Sequence, residues 1–286
     1  MSSRLFKRKT QLIIGKIGSQ GKLIEGLRFS FDIEMTDARE TNKGSINIYN
    51  LSEETIGLLE EKNTSVILKV GYDDDELSTV FIGNVVEFED EFNSPDVITK
   101  IKCSDGYIAL TSRIISLSFA PESTTQQIVK KIVSELNLTK GDYSKIPNLV
   151  YKQGFSFVGA PGTALDIILE RTGWEWIIVN NVLIISEQNK SNNETIMQYL
   201  SPGTGLLDKP KRFKNKPHKS KKTKIKKNKL LDGWKIKSLL IPSIQPKSLI
   251  SVSSEELDGI FLVKAVKFTG DTHGKAWFAE IDAVQK

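Results

Sequence analysis

The sequence predicts an α+β fold that is predominantly β. Three observations carry that expectation: apolar and polar residues alternate through the first 106 residues, the period becomes helical from about 114 to 188, and alternation returns from Trp234 onward. At the N-terminal end Leu27, Phe29, Phe31, Ile33 and Met35 share one strand face while Arg28, Ser30, Asp32 and Glu34 share the other. Strand length counted from Glu25 to Asp37 exceeds the usual five or six residues. Shorter runs follow at 45–49, 65–70, 80–88 and 97–103, with Asn42-Lys43-Gly44 and Tyr72-Asp73-Asp74-Asp75 as turns between them. One helix interrupts the series: Ser52 is its cap, Glu53 and Glu54 suit its positive end, and Ile56, Leu58 and Leu59 form a short apolar face. Several strands and one small helix within residues 1–113 predict a closed or nearly closed β-barrel.

Residues 114–190 form a second unit, a small α+β module. Thr124 and Gln127 make a capping box, after which Ile128, Ile132, Val133 and Leu136 form a helical stripe. A second helix is expected to start at Thr163, bury Leu165, Ile168 and Leu169, and stop at Gly173. Asn180-Asn181 then joins two strands, 174–179 and 182–186, as a hairpin turn tolerant of positive φ. Residues 191–286 return to strands at 234–240, 248–253, 259–268 and 276–284. Periodicity leaves open whether these make a second barrel or complete the first.

At 286 residues the chain is long enough to bury a core without disulfides, and its single cysteine excludes an internal one. No apolar run approaches the roughly 20 residues of a bilayer-spanning helix, so no membrane partner is expected. The N-terminal MSSRLFKRKTQ has charge but no apolar stretch of the kind that directs export. Of the 40 Lys and Arg, 12 fall in residues 209–229, which contain no Asp or Glu. Those are Lys209, Lys211, Arg212, Lys214, Lys216, Lys219, Lys221, Lys222, Lys224, Lys226, Lys227 and Lys229. The rest of the chain holds 28 basic against 35 acidic residues, a net −7, so the folded body is acidic and the basic character is an insertion. This segment cannot form a core and is expected to order only against an acidic partner.

A search for catalytic chemistry finds little. His218 lies inside the Lys-rich run and His273 in the loop 270–274, neither beside a nucleophile. Cys103 sits along a strand and reads as a small core residue. Asp73-Asp74-Asp75-Glu76 lacks the spacing and glycine of a calcium loop, and the acidic run Glu87 to Glu91 locates no cleft. No phosphate-binding glycine motif is present: Gly203-Thr204-Gly205, after Pro202, reads as a turn. Phe29, Phe31, Phe81 and Phe88 would stack bases only if exposed, and alternation places most of them inside. No enzyme activity, cofactor or metal is expected.

A set of landmarks in order carries a resemblance: Ile46-Asn47-Ile48-Tyr49-Asn50-Leu51-Ser52, Gly71-Tyr72, Phe81-Ile82-Gly83-Asn84-Val85 and Cys103-Ser104-Asp105-Gly106. After the α+β module come Gly203-Thr204-Gly205-Leu206-Leu207, Gly233-Trp234-Lys235-Ile236, Leu240 to Pro246, Val252-Ser253-Ser254 and Gly270 to Trp277. With all but residues 209–229 covered, the chain resembles the baseplate hub proteins of contractile-tailed bacteriophages. The resemblance implies barrel domains similar to tail-tube subunits, and a homotrimer whose paired barrels adapt a sixfold tail tube protein to a threefold central spike protein. It also implies contacts with other baseplate proteins, DNA only in passage through an acidic lumen, and a place in the virion tail after assembly in the host cytoplasm. The alternative from another class is a nucleic-acid-binding protein with an OB-like barrel and the Lys-rich segment as a phosphate-docking arm.

Overall fold

A computed structural model of the chain describes residues 7–16, 18–38, 41–72, 76–111, 113–136, 138–140, 143–191, 197–214 and 232–286. Seven strands precede the module: β1 (Arg8–Lys16), β2 (Lys22–Ile24), β3 (Phe29–Thr36), β4 (Lys43–Tyr49), β5 (Thr64–Tyr72), β6 (Ser78–Asn93) and β7 (Asp96–Ser104). Helix α1 (Glu53–Glu60) lies between β4 and β5, and α2 (Tyr107–Thr111) follows β7. The module comprises β8 (Ile115–Phe119), β9 (Ser123–Thr124), α3 (Thr125–Leu136), β10 (Thr139–Lys140), β11 (Val150–Tyr151), β12 (Phe155–Gly159), α4 (Pro161–Glu170), β13 (Trp174–Val179) and β14 (Val182–Glu187). Six strands follow it: β15 (Gln198–Leu200), β16 (Lys211–Lys214), β17 (Asp232–Leu239), β18 (Leu249–Ser253), β19 (Asp258–Asp271) and β20 (Trp277–Gln285).

The strands on both sides of the module share one 13-stranded sheet in the order β16-β17-β20-β19-β3-β4-β7-β6-β5-β1-β2, with β18 and β15 branching from β19. The join is the antiparallel pairing of β19 with β3 from Ala265↔Thr36 to Asp271↔Ser30. Alternation in β3 does what the sequence indicates: Phe29, Phe31, Ile33 and Met35 are buried and Asp32 and Glu34 exposed. The strand is shorter than expected, because Gly26 adopts φ +75° and breaks the chain direction before Phe29. The longest strands are instead β6, with 16 residues, and β19, with 14.

The sheet curls around one core, bringing β1 and β5 to the β19–β20 loop and to the residue beyond β17. Arg8 in β1 donates to the carbonyl of Gly274 between β19 and β20 at 2.8 Å, and the Tyr72 hydroxyl at the end of β5 donates to Leu240 beyond β17 at 3.2 Å. Close packing inside this curl depends on Gly270, the register partner of Phe31. The Phe31 ring lies where a Cβ would stand, and it meets Trp277 edge-on at 5.8 Å.

In the module the capping box forms as read: Thr124 N–H donates to Gln127 Oε1 at 2.9 Å and Gln127 N–H to Thr124 Oγ1 at 3.5 Å. All four stripe residues of α3 are buried. Helix α4 starts two residues before the expected Thr163, because Pro161 is already suited to the first helical turn. Asn180 and Asn181 take φ of 52° and 62°, making the tight hairpin turn between β13 and β14. Strand β13 is buried on both faces: Ile177 and Val179 join the core of the large sheet, while Trp174, Trp176 and Ile178 join that of the module.

Candidate assembly surface

The Lys-rich segment belongs to a hairpin at one edge of the large sheet. Lys214 is the register partner of Asp232, so residues 215–231 connect the ends of β16 and β17. Arg212 Nε donates to Asp232 Oδ1 at 2.9 Å, a second guanidinium nitrogen pairs with Oδ2, and Lys214 lies 3.9 Å from the same carboxylate. The hydrogen bond from Arg212 holds the Asp232 carboxyl below its usual range. Lys209 pairs with Glu256, and Lys211 lies in β16 itself. Lys216, Lys219, Lys221, Lys222, Lys224, Lys226, Lys227 and Lys229, with His218, lie outside the described residues.

A second edge carries the opposite charge. Strand β6 pairs with β5 only as far as Asn84↔Ser65, while its continuation pairs with β7 to Asn93↔Asp96. Residues 85–93 therefore form an arm whose outer edge has no strand partner among the described residues. A bulge at Val86 starts the arm, and from there Glu87, Glu89 and Glu91 share one face. Lys102 bridges Glu87 at 3.0 Å, Lys100 pairs with Glu91, and Phe92 near the tip is 84% exposed. The tip is held by Asn50, which donates to Asp96 at 2.9 Å and accepts from Val97 N–H at 3.0 Å.

Between these edges the outward face of the sheet alternates in sign. Successive register partners run Lys237, Glu280, Lys267, Glu34 and Lys43 across β17, β20, β19, β3 and β4. Lys267 lies 3.2 Å from Glu34 and 3.4 Å from Asp32. Lysines from neighbouring strands thus interleave with the Asp and Glu on the polar face of β3. The same interleaving leaves no continuous basic groove among the described residues, so the nucleic-acid alternative finds no support.

Three polar ties fix the module to the sheet. Lys264 is the extra residue of the β19 bulge, and its ammonium reaches Asp37 at 2.6 Å and Asn189 at 2.9 Å. The Lys247 side chain is wholly buried and ion-paired with Glu175 of β13. The third tie is centred on Asp105, also wholly buried, which accepts from Asn181 N–H at 2.9 Å and from Asn42 Nδ2 at 3.4 Å. Asn42 also donates to Ile178 O at 2.7 Å, and Ile82 N–H donates to Asn180 Oδ1 at 3.0 Å.

Burial raises the Asp105 carboxyl to about 6, against the opposing effect of the hydrogen bonds from Asn181 and Asn42. The folded chain thus binds this proton more tightly than the unfolded one, whose carboxyl titrates near 4. Stability from this group is fully present below about pH 4 and is lost as pH rises through about 6, by on the order of 2–3 kcal/mol. Asp105→Asn is expected to remove that part of the pH dependence, measured as the change in urea midpoint from pH 4 to pH 7 in the two proteins.

The residues weighed for catalysis are not brought together. Cys103 is buried at the end of β7, where desolvation pushes its thiol up to about 12. His273 is exposed, and its Nδ1 lies 2.9 Å from Thr272 Oγ1. Phe29, Phe31 and Phe81 are core residues and Phe88 packs partly against them, so none is a stacking platform. Asp73, Asp74 and Asp75 lie outside the described residues. Among the described residues no group of three or more His, Cys, Asp or Glu is placed to hold a metal ion, and no helix is long and apolar enough to cross a membrane.

Comparison with known proteins gives a family match and a set of shared folds. The family model described as baseplate hub gp41 matches residues 14–250. The 43 kDa tail protein of prophage MuSo2 from Shewanella oneidensis is similar with a TM-score of 0.67 at 12% identity, covering 98% of each chain. A tail protein from Neisseria meningitidis MC58 gives 0.66 at 10% identity over 97% of each chain. The Escherichia coli c3393 protein, a component of the type VI secretion system, gives 0.63 at 11% identity over 96% of this chain and 76% of that one. No curated protein sequence matches significantly.

Proposed function

The chain belongs to the baseplate hub gp41 family, and from that premise we propose that three copies form a ring adapting a sixfold tail tube to a threefold central spike. The family match, which spans most of the chain, carries this reading. The architecture supports it: β6–β7 and β19–β20 are two long hairpins in one curled sheet, which would give a trimer six comparable wall elements. The role is structural, and the named partners are the tube protein, the spike protein and other baseplate proteins, with DNA only passing through. The Lys-rich segment 209–229 is a partner-binding element for an acidic protein surface. The place of action is the virion tail baseplate, reached after assembly in the host cytoplasm.

Mass measurement tests the ring. The purified full chain is expected to have about three times its 32.0 kDa mass, and a complex with spike protein to hold three copies of it. A trimer interface of the usual obligate size, on the order of 2,000 Å² or more, holds at moderate salt. A stable monomer at micromolar concentration, or a hexamer within purified baseplates, would refute the reading.

A further inference from the structure

We propose that neighbouring copies of this chain join head to tail, the basic outer edge of β16 in one copy docking against the acidic outer edge of the β6 arm in the next. This rests on the ring reading above and supplies its contact. Both edges lack a strand partner among the described residues, one at the end of the sheet and one where β6 outruns β5. Residues 209–214 hold four bases and no acid, of which Lys209 pairs with Glu256 and Arg212 with Asp232, whereas residues 85–93 hold four acids and no base, of which Glu87 and Glu91 pair with Lys102 and Lys100, so the two edges keep opposite net charge. Beyond Lys214 the chain adds eight more lysines before Asp232, without an acidic residue among them.

Open strand edges invite pairing, and charge decides with what. A twofold dimer through either edge would set like charges against like, so both symmetric pairings are disfavoured. The unlike edges attract, and because they belong to different parts of one chain their contact is heterologous, the kind that builds a ring where its rotation closes after three copies. Phe92, exposed at the arm's end, supplies an apolar anchor beside the charged rows. The attraction between exposed charges weakens as salt screens it.

Charge reversal in the full chain tests this. The arm variant carries Glu87→Lys, Glu89→Lys and Glu91→Lys; the edge variant carries Lys211→Glu, Arg212→Glu and Lys214→Glu. Each is expected to weaken trimer formation at least about tenfold by light scattering at low salt, and the protein with all six changes is expected to regain it. Circular dichroism separates dissociation from unfolding. Should the arm variant fail to fold, Glu89→Lys with Phe92→Ser leaves the Lys102 and Lys100 bridges in place and is expected to show the same loss. Trimers unchanged by the folded variants overturn this contact while leaving the ring intact. Folded single-edge variants that dissociate but are not rescued by the combined protein also overturn it. A monomeric wild-type chain overturns the ring and the contact together.

Discussion

Replacing Glu175 with alanine is expected to lower the unfolding free energy by about 3–5 kcal/mol, because Lys247 is then left in the interior without its ion-pair partner. Lys247 is wholly buried and Glu175 is its ion-pair partner, with 16% of its own side chain exposed. Breaking such a pair from one side costs far more than replacing both members. Lys247→Met combined with Glu175→Met is accordingly expected to recover most of the loss. Urea unfolding at pH 7 measures both. A single variant within about 1 kcal/mol of wild type would show that water reaches Lys247 and that the pair is not a tie of this kind.

Ile177→Ala and Ile178→Ala are each expected to cost about 2–5 kcal/mol, the usual range for emptying a fully packed aliphatic site. The two side chains are adjacent in β13 yet lie in different cores, at 1% and 2% exposure. Since one strand supplies both cores and two of the three polar ties hold it in place, either change should lower a single unfolding transition for sheet and module together. Two separated calorimetric transitions in either variant would mean that the module unfolds independently of the sheet.

The fold was legible wherever one face of an element is buried and the other wet. Strand β3, the stripe of α3 and the Asn180-Asn181 turn follow from local pattern, because each depends on periodicity or backbone conformation alone. Strand β1 is not legible because Leu12 and Ile14 alternate within a run that begins with four charged or polar residues. Helix α4 starts ahead of Thr163 because Pro161 already suits the first helical turn. The Lys-rich segment was visible as composition, but its position at the end of a hairpin required the pairing of Lys214 with Asp232. The acidic run Glu87 to Glu91 is legible as composition that locates no cleft, and no local signal shows that β5 stops pairing with β6 at Asn84. Asp105, Asn42 and Asn180 come from three separate stretches, so their meeting is a property of topology that periodicity does not encode. The lysines that balance Asp32 and Glu34 lie far off in sequence for the same reason.

Strand β19 also sets how the molecule bears mechanical load. Along one side it is bonded first to β18 and then to β3, and along the other to β20. A pull directed along this strand loads those backbone hydrogen bonds in shear, so that they must fail together. The β16–β17 hairpin is joined to the sheet by β17 alone, and a pull across it opens its bonds one after another, like a zip. The joined halves of the sheet are thus stiff along β19 and compliant at the basic edge. Tension arriving through that edge is relieved there before it reaches the core.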